Sequence, residues 1–164
     1  MLWLLIASVA IAGKPKPWDG MSSDIVVERE VGVGVEVLVP KLTDLQFAAA
    51  IFPEECMYDW SHGSTTSGLG AIARVTYHMG SMKRRLTAKV TRVEDHVVEY
   101  DHEGNKGFIT QWRMSPAAEG TTLSLGTYIH APPWPFRPLY FNKIHPKWTA
   151  CYEQAMDNLA AEIR

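Results

Sequence analysis

The side chains able to do chemistry in this sequence are few and scattered. His96 stands beside Asp95 in VEDHV, and His102 stands between Asp101 and Glu103 in DHEGNKG. Both stretches read as turns and the VVEY run between them reads as a strand, which sends the two clusters to opposite ends of a sheet. Neither has the close helical or looped spacing of a zinc site, so no metal is expected from them. His78, His130 and His145 could approach the mouth of an interior, but the sequence pairs none of them with a serine or cysteine nucleophile. The histidines are expected in surface and turn roles. Gly32 and Gly34 supply part of a dinucleotide fingerprint after a strand-like run, yet the third glycine is missing and the two-residue alternation continues beyond them. Cys56 and Cys151 stand nearly a hundred positions apart and are the only cysteines. They read as two separate buried thiols packing as small hydrophobes, with one bridge between them open to an exported chain.

Arg29 stands out because it falls on the hydrophobic face of its strand, between Val27 and Val31. The fixed fork of a guanidinium suits bidentate capture of a ligand carboxylate, and it serves equally to pair with a structural acid. Tyr77, Met79, Tyr100, Trp112, Met114, Trp148 and Tyr152 are large side chains that period-two and helical registers aim inward. Aromatic rings and methionines can line an adaptable apolar pocket, or they can simply fill the space.

The elements that would position these groups follow from periodicity. Ile25 to Pro40, IVVEREVGVGVEVLVP, alternates almost throughout and is expected as one strand, about twice the ordinary five or six residues. KLTDLQFAAAIF then shows helical spacing with Thr43 as its cap, Pro53 interrupts, and EECMYDW is expected as a second short helical or irregular piece. From Leu69 the period of two returns in five runs joined by tight turns: LGAIARVTYHM, MKRRLTAKVTRV, VVEY, FITQWRMS and TTLSLGTYIH. This is an antiparallel meander. Its inward set includes Ala71, Ala73, Val75, Tyr77, Met79, Leu86, Ala88, Val90, Val98, Tyr100, Phe108, Thr110, Trp112, Met114, Leu123, Leu125, Thr127 and Ile129. In the last segment Ile144, Trp148, Cys151, Ala155, Leu159 and Ile163 recur at steps of three or four, giving a long amphipathic helix. The expected class is α+β: a curved six- to seven-stranded antiparallel sheet wrapped around the C-terminal helix, with two short helices after the first strand.

The chain of 164 residues suits one domain with a sizeable core. Its 46% hydrophobic and 21% charged residues exclude wholesale disorder, and a net charge of −2 disfavours nucleic acid as a partner. Residues 1–13, MLWLLIASVAIAG, are apolar, and the following GKPKPWDG is a proline- and glycine-rich linker. We therefore divide the chain into an N-terminal segment, 1–23, and a folded domain, 24–164. The apolar run reads as a cleaved export signal, a short membrane-attaching segment, or an extension upstream of a cytoplasmic domain beginning near Met21. From His130 to Trp148, Trp134, Phe136, Tyr140 and Phe141 accompany Arg137, Lys143 and Lys147 among five prolines. Proline fixes an extended connection there, and rings with basic neighbours suit a bilayer surface, so residues 1–13 with Trp134 and Phe136 are candidates for membrane contact. The oligomeric state is left open.

The order of elements, with the opening IVVEREV strand, the KLTDLQFAAAIFP segment, the GLGAIARVTY strand and the terminal helix, resembles the helix-grip fold of the START/polyketide-cyclase (SRPBCC) superfamily. The likeness covers essentially residues 24–164. It implies a cavity between sheet and C-terminal helix that holds a hydrophobic small molecule such as a lipid, sterol or polyketide, without metal, nucleotide or other cofactor. Arg29, Tyr77, Met79, Tyr100, Trp112, Met114, Trp148 and Tyr152 would then be the ligand-binding residues. Binding, sequestration or transport is the leading expectation. A polyketide cyclase/aromatase-type enzyme using the same cavity is the alternative, with Arg29, Tyr77 and Tyr100 as its interior polar groups.

Overall fold

The computed structural model describes residues 24–79, 82–103, 109–128 and 135–163. Seven strands, β1 (Ile25–Val31), β2 (Met57–His62), β3 (Ile72–Met79), β4 (Met82–Glu94), β5 (Val97–Glu103), β6 (Ile109–Ala117) and β7 (Gly120–Tyr128), form one antiparallel sheet in the order β1-β7-β6-β5-β4-β3-β2. Helices α1 (Val35–Leu42) and α2 (Leu45–Ile51) follow β1. A short turn α3 (Arg137–Leu139) and a π-helical segment (Tyr140–Ile144) lead into α4 (His145–Glu162). The sheet curls round α4, giving the expected α+β helix-grip architecture. Residues 1–23, Phe108, Ile129 and Trp134 lie outside the described residues, as does the side chain of Met79.

The first strand is shorter than its alternation suggests. β1 ends at Val31, and Gly32 to Gly34 lead out of the sheet. The valines beyond also satisfy a helical pattern: Val35, Leu38, Val39 and Leu42 recur at three and four, Leu38 and Leu42 are buried, and the helix wins. Pro40 sits inside α1, where it cannot donate to the Glu36 carbonyl, and the helix runs only two residues further. Two contacts pin the exit. Thr121 Oγ donates to the Val33 carbonyl at 2.8 Å, and Gly120, at φ +108°, brings its α-carbon so close that a Cβ would lie 2.1 Å from the Val31 oxygen. Thr43 is the C-terminal cap of α1 rather than the start of a helix; Asp44 caps α2, its carboxylate accepting from the Gln46 amide at 2.9 Å.

EECMYDW is no helix: Met57 to His62 pair with β3 as the edge strand β2. Its register shifts between Tyr58 and Ser61, where Asp59 adopts φ +59°, and this bulge disrupts the alternation that would betray a strand. The meander runs as expected. Ala71, Ala73, Val75, Tyr77, Leu86, Ala88, Val90, Val98, Tyr100, Thr110, Trp112, Met114, Leu123, Leu125 and Thr127 are all buried. α4 supplies Trp148, Tyr152, Ala155, Met156 and Leu159, and Asn158 ties it to α2 by donating to the Ile51 carbonyl at 2.8 Å.

The cysteines are not separate thiols. Cys56, immediately before β2, and Cys151, on α4, form a disulfide with Cα atoms 6.1 Å apart. A separation of 95 residues hides such a contact from sequence, because only the fold brings edge strand and final helix together.

Candidate functional site

The interior between sheet and α4 is built from rings. Trp148 stacks on Tyr77 with centroids 5.8 Å apart and planes 22° from parallel, and Tyr152 meets Trp148 edge-on at 5.7 Å. Phe52, buried just past α2, packs edge-on against both Trp112 (6.3 Å) and Tyr152 (5.9 Å). The periodicity did not single out Phe52; its signal is position, a large ring at a helix end held by the following Pro53. Tyr77, Trp112, Trp148 and Tyr152 are each at most 1% exposed, so these rings are closed off from solvent. Depressions of about 370, 310 and 530 Å³ elsewhere on the molecule are open to solvent and lie outside this interior.

Polar groups cross this apolar space in a continuous chain. The Tyr77 hydroxyl lies 2.7 Å from His102 Nδ1; His102 Nε2 lies 2.9 Å from Thr110 Oγ; Thr110 Oγ lies 2.9 Å from Thr127 Oγ; and Thr127 Oγ lies 2.7 Å from the Tyr152 hydroxyl. The chain thus runs from β3 through β5, β6 and β7 to α4. Its direction follows from proton counting. Thr127 donates to the Ile109 carbonyl at 3.3 Å, so Thr110 and Tyr152 must both donate to Thr127. Thr110 must then accept from His102 Nε2–H, which leaves Nδ1 to accept from Tyr77. All five protons have acceptors, and the imidazole is assigned as the neutral Nε2–H tautomer.

Burial keeps the chain uncharged. It pushes the His102 pKa down to about 3, because an imidazolium there would be stripped of water. It raises Tyr77 well above its usual value, helped by the nearby Tyr152 and Tyr100, and raises Tyr152 to about 12 against the opposing hydrogen bonds of Thr127 and Thr110. His102 was expected in a turn. It lies instead within β5, 2% exposed, because the strand continues through Asp101 to Glu103. Its parity with Val98 and Tyr100 is the signal that places it inside.

The structure brings Tyr77, Trp148 and Tyr152 together at one end of the interior, near the β3–β4 connection and the start of α4. Tyr100 and Trp112 stand apart from that stack, with Trp112 joined to Tyr152 through Phe52. The Tyr100 hydroxyl donates to the Leu42 carbonyl, tying α1 to the sheet, and burial raises its pKa against the opposing indole of Trp112. Met114 is buried two positions beyond Trp112, opposite Leu123 and away from the Tyr77 end. Arg29 does not join them. It sits half-exposed between β1 and α4, donating to Asp157 at 2.9 Å and to the Glu28 carbonyl at 2.9 Å, the structural-acid pairing rather than a clamp facing the interior. Tyr140, expected with the interface rings, is buried, and burial pushes its pKa up to about 12.

Comparison with known proteins agrees with this geometry. No curated protein matches the chain by sequence. Solved structures share the fold. The solution structure of KanY superposes with a TM-score of 0.74 at 15% identity, covering 87% of this chain and 99% of that one. A crystal structure of a Thermus thermophilus protein gives 0.67 at 16% identity, covering 84% and 94%. Major latex-like protein 151 of Panax ginseng gives 0.57 at 7% identity, covering 84% and 95%. Residues 23–164 match the family described as polyketide cyclase / dehydrase and lipid transport. A gripped terminal helix, a ring-lined interior and a sequence match over nearly the whole chain lead to one conclusion: the protein belongs to the polyketide cyclase / dehydrase and lipid transport family.

Proposed function

We propose that the chain binds a hydrophobic small molecule, of lipid, sterol or polyketide-like chemistry, between the sheet and α4, and sequesters or carries it. The observation that supports this best is the composition of the interior at the Tyr77 end, where stacked rings are crossed by a neutral hydrogen-bonded chain. Such a surface receives an apolar body, and the oxygens of the chain keep lone pairs that accept from a ligand hydroxyl. The lining assigned to this reading is Tyr77, Met79, Tyr100, Trp112, Met114, Trp148 and Tyr152, and Arg29, held by Asp157, is left to a structural role. Affinity comes from burying apolar ligand area, at roughly 25 cal/mol per Å² before ordering costs. Contact with a membrane surface, through residues 1–13, Trp134 and Phe136, belongs to the same reading. Native mass spectrometry of the full chain purified from its host, followed by titration with fatty acids, sterols and aromatic polyketides, tests it. Saturable one-to-one binding that quenches tryptophan fluorescence is the expected result. Absence of both a copurifying molecule and any saturable ligand refutes it.

A second reading, acid–base catalysis of the cyclase/aromatase type, is favoured by the 2.7 Å contact between Tyr77 and His102. Burial opposes a charged pair, so the substrate itself would have to supply the compensating charge. Turnover lost in both Tyr77→Phe and His102→Gln, with ligand affinity retained, would establish it; equal turnover in both variants would remove it.

A further inference from the structure

Among the described residues, seven large hydrophobic side chains are exposed, and three of them fall within six positions: Phe136 (61%), Leu139 (53%) and Phe141 (50%). They surround the tip from which α3 and the π-helical segment start, whereas Tyr140 between them turns inward. Pro135 and Pro138 are exposed beside them. A patch of this kind is costly to leave in water unless something covers it. Lys143 and Lys147 follow Leu139 at one and two helical turns, both exposed. Their side chains therefore leave the helix about 6 and 12 Å behind Leu139, given a helical rise of about 1.5 Å per residue. That offset matches the roughly 5–10 Å to which interfacial segments sink into the headgroup layer, which leaves the two cations level with phosphates.

The tip stands at the Tyr77 end of the fold. His145 Nε2 meets the Asp24 carbonyl at 2.9 Å, fixing the π-helical segment beside the start of β1, and the exposed basic residues Lys83 and Arg84 open β4 at the same end. Glu54 and Glu55 are the exposed acids near it, both in the loop before β2. No described helix is long and apolar enough to cross a bilayer.

We propose that Phe136, Leu139 and Phe141 insert end-on into an anionic lipid surface while Lys143 and Lys147 pair with its phosphates, docking the Tyr77 end of the interior against the bilayer. This deepens the ligand-carrying reading by naming where cargo is exchanged, yet it stands or falls by a separate measurement. Flotation of the full chain with vesicles of phosphatidylcholine, with and without 30% phosphatidylglycerol, tests it. Binding to the anionic vesicles that weakens with salt is expected. Leu139→Glu with Phe141→Glu should lower it at least tenfold. Lys143→Gln with Lys147→Gln, which disturbs no buried group, should lower it about twenty-five-fold, at about fivefold per lysine. Ligand titration of the same variants in detergent-free solution should be unchanged. Failure of the unaltered chain to bind either vesicle overturns the proposal, as does full binding by both variants, which would assign attachment to residues 1–13. Self-association without lipid, abolished by Leu139→Glu, overturns it in favour of a second copy as occupant. Loss of ligand binding alone, with vesicle binding intact, defeats the carrier reading and leaves the docking surface standing.

Discussion

Removing the Cys56–Cys151 bridge is the sharpest test of how α4 is held. The bridge closes a loop spanning 95 positions, from the approach to the edge strand to the second turn of the gripping helix. Chain-entropy reasoning gives about 4.7 kcal/mol for a closed loop of ~100 residues, and residual order in the unfolded chain brings measured values to about 2–4 kcal/mol. A domain of this size loses about 3 °C of Tm per kcal/mol, so Cys56→Ala with Cys151→Ala should lower Tm by roughly 6–12 °C. The far-UV circular dichroism should be preserved, because the effect lies largely in the unfolded chain. Treatment of the unaltered protein with dithiothreitol should reproduce the shift, and calorimetry with and without reductant reads both. The depression beside the bridge, lined in part by Lys147, Ala150 and Gln154, gives the reductant a path to the sulfurs. Two thiols that react with a thiol reagent in the untreated native protein, together with a Tm change below about 2 °C in the variant, would refute the reasoning.

Three other outcomes follow from particular contacts. His102 binds a proton near pH 6.5 when unfolded but only near pH 3 when folded. The unfolded state therefore holds more protons across that window, and stability should fall by up to about 1.4 kcal/mol per pH unit as pH drops from 6.5 towards 3; urea melts of His102→Gln should show a flatter acid limb. Gly120→Ala should destabilise by roughly 2–4 kcal/mol in chemical denaturation, since it combines a positive φ with a collision against the Val31 carbonyl. Arg29→Ala should cost less than about 1 kcal/mol and leave ligand affinity unchanged, because its partner Asp157 is exposed and neither side chain enters the interior.

The meander and the gripping helix were legible because their periods run long: the inward parity of Ala73, Val75 and Tyr77, or of Trp112 and Met114, survives intact into the fold, and β4 shifts register only beyond Val90. Legibility failed where one pattern satisfies two structures. Val35 and Val39 extend the alternation of β1 and also seed the apolar side of α1, and only the glycines before them mark the change. β2 was hidden by its bulge at Asp59, and His102 by its neighbours, since a polar DHEG run imitates a turn while its first half still pairs with β4 and β6. The inward aim of Tyr77, Tyr100, Trp112, Trp148 and Tyr152 was legible ring by ring. The polar chain among them was not, because hydrogen bonds between Tyr77, His102, Thr110, Thr127 and Tyr152 join four strands and a helix that no local spacing connects.

That chain bears on how the molecule could be altered. Greasy faces slide and swivel over one another at little cost, but a hydroxyl reaching one particular threonine does not, so Tyr152 indexes the azimuth of the terminal helix like a key in its slot. Anyone remodelling this interior would have to rewrite the whole one-way succession of protons at once, since deleting a middle link strands a donor on one side and a lone pair on the other.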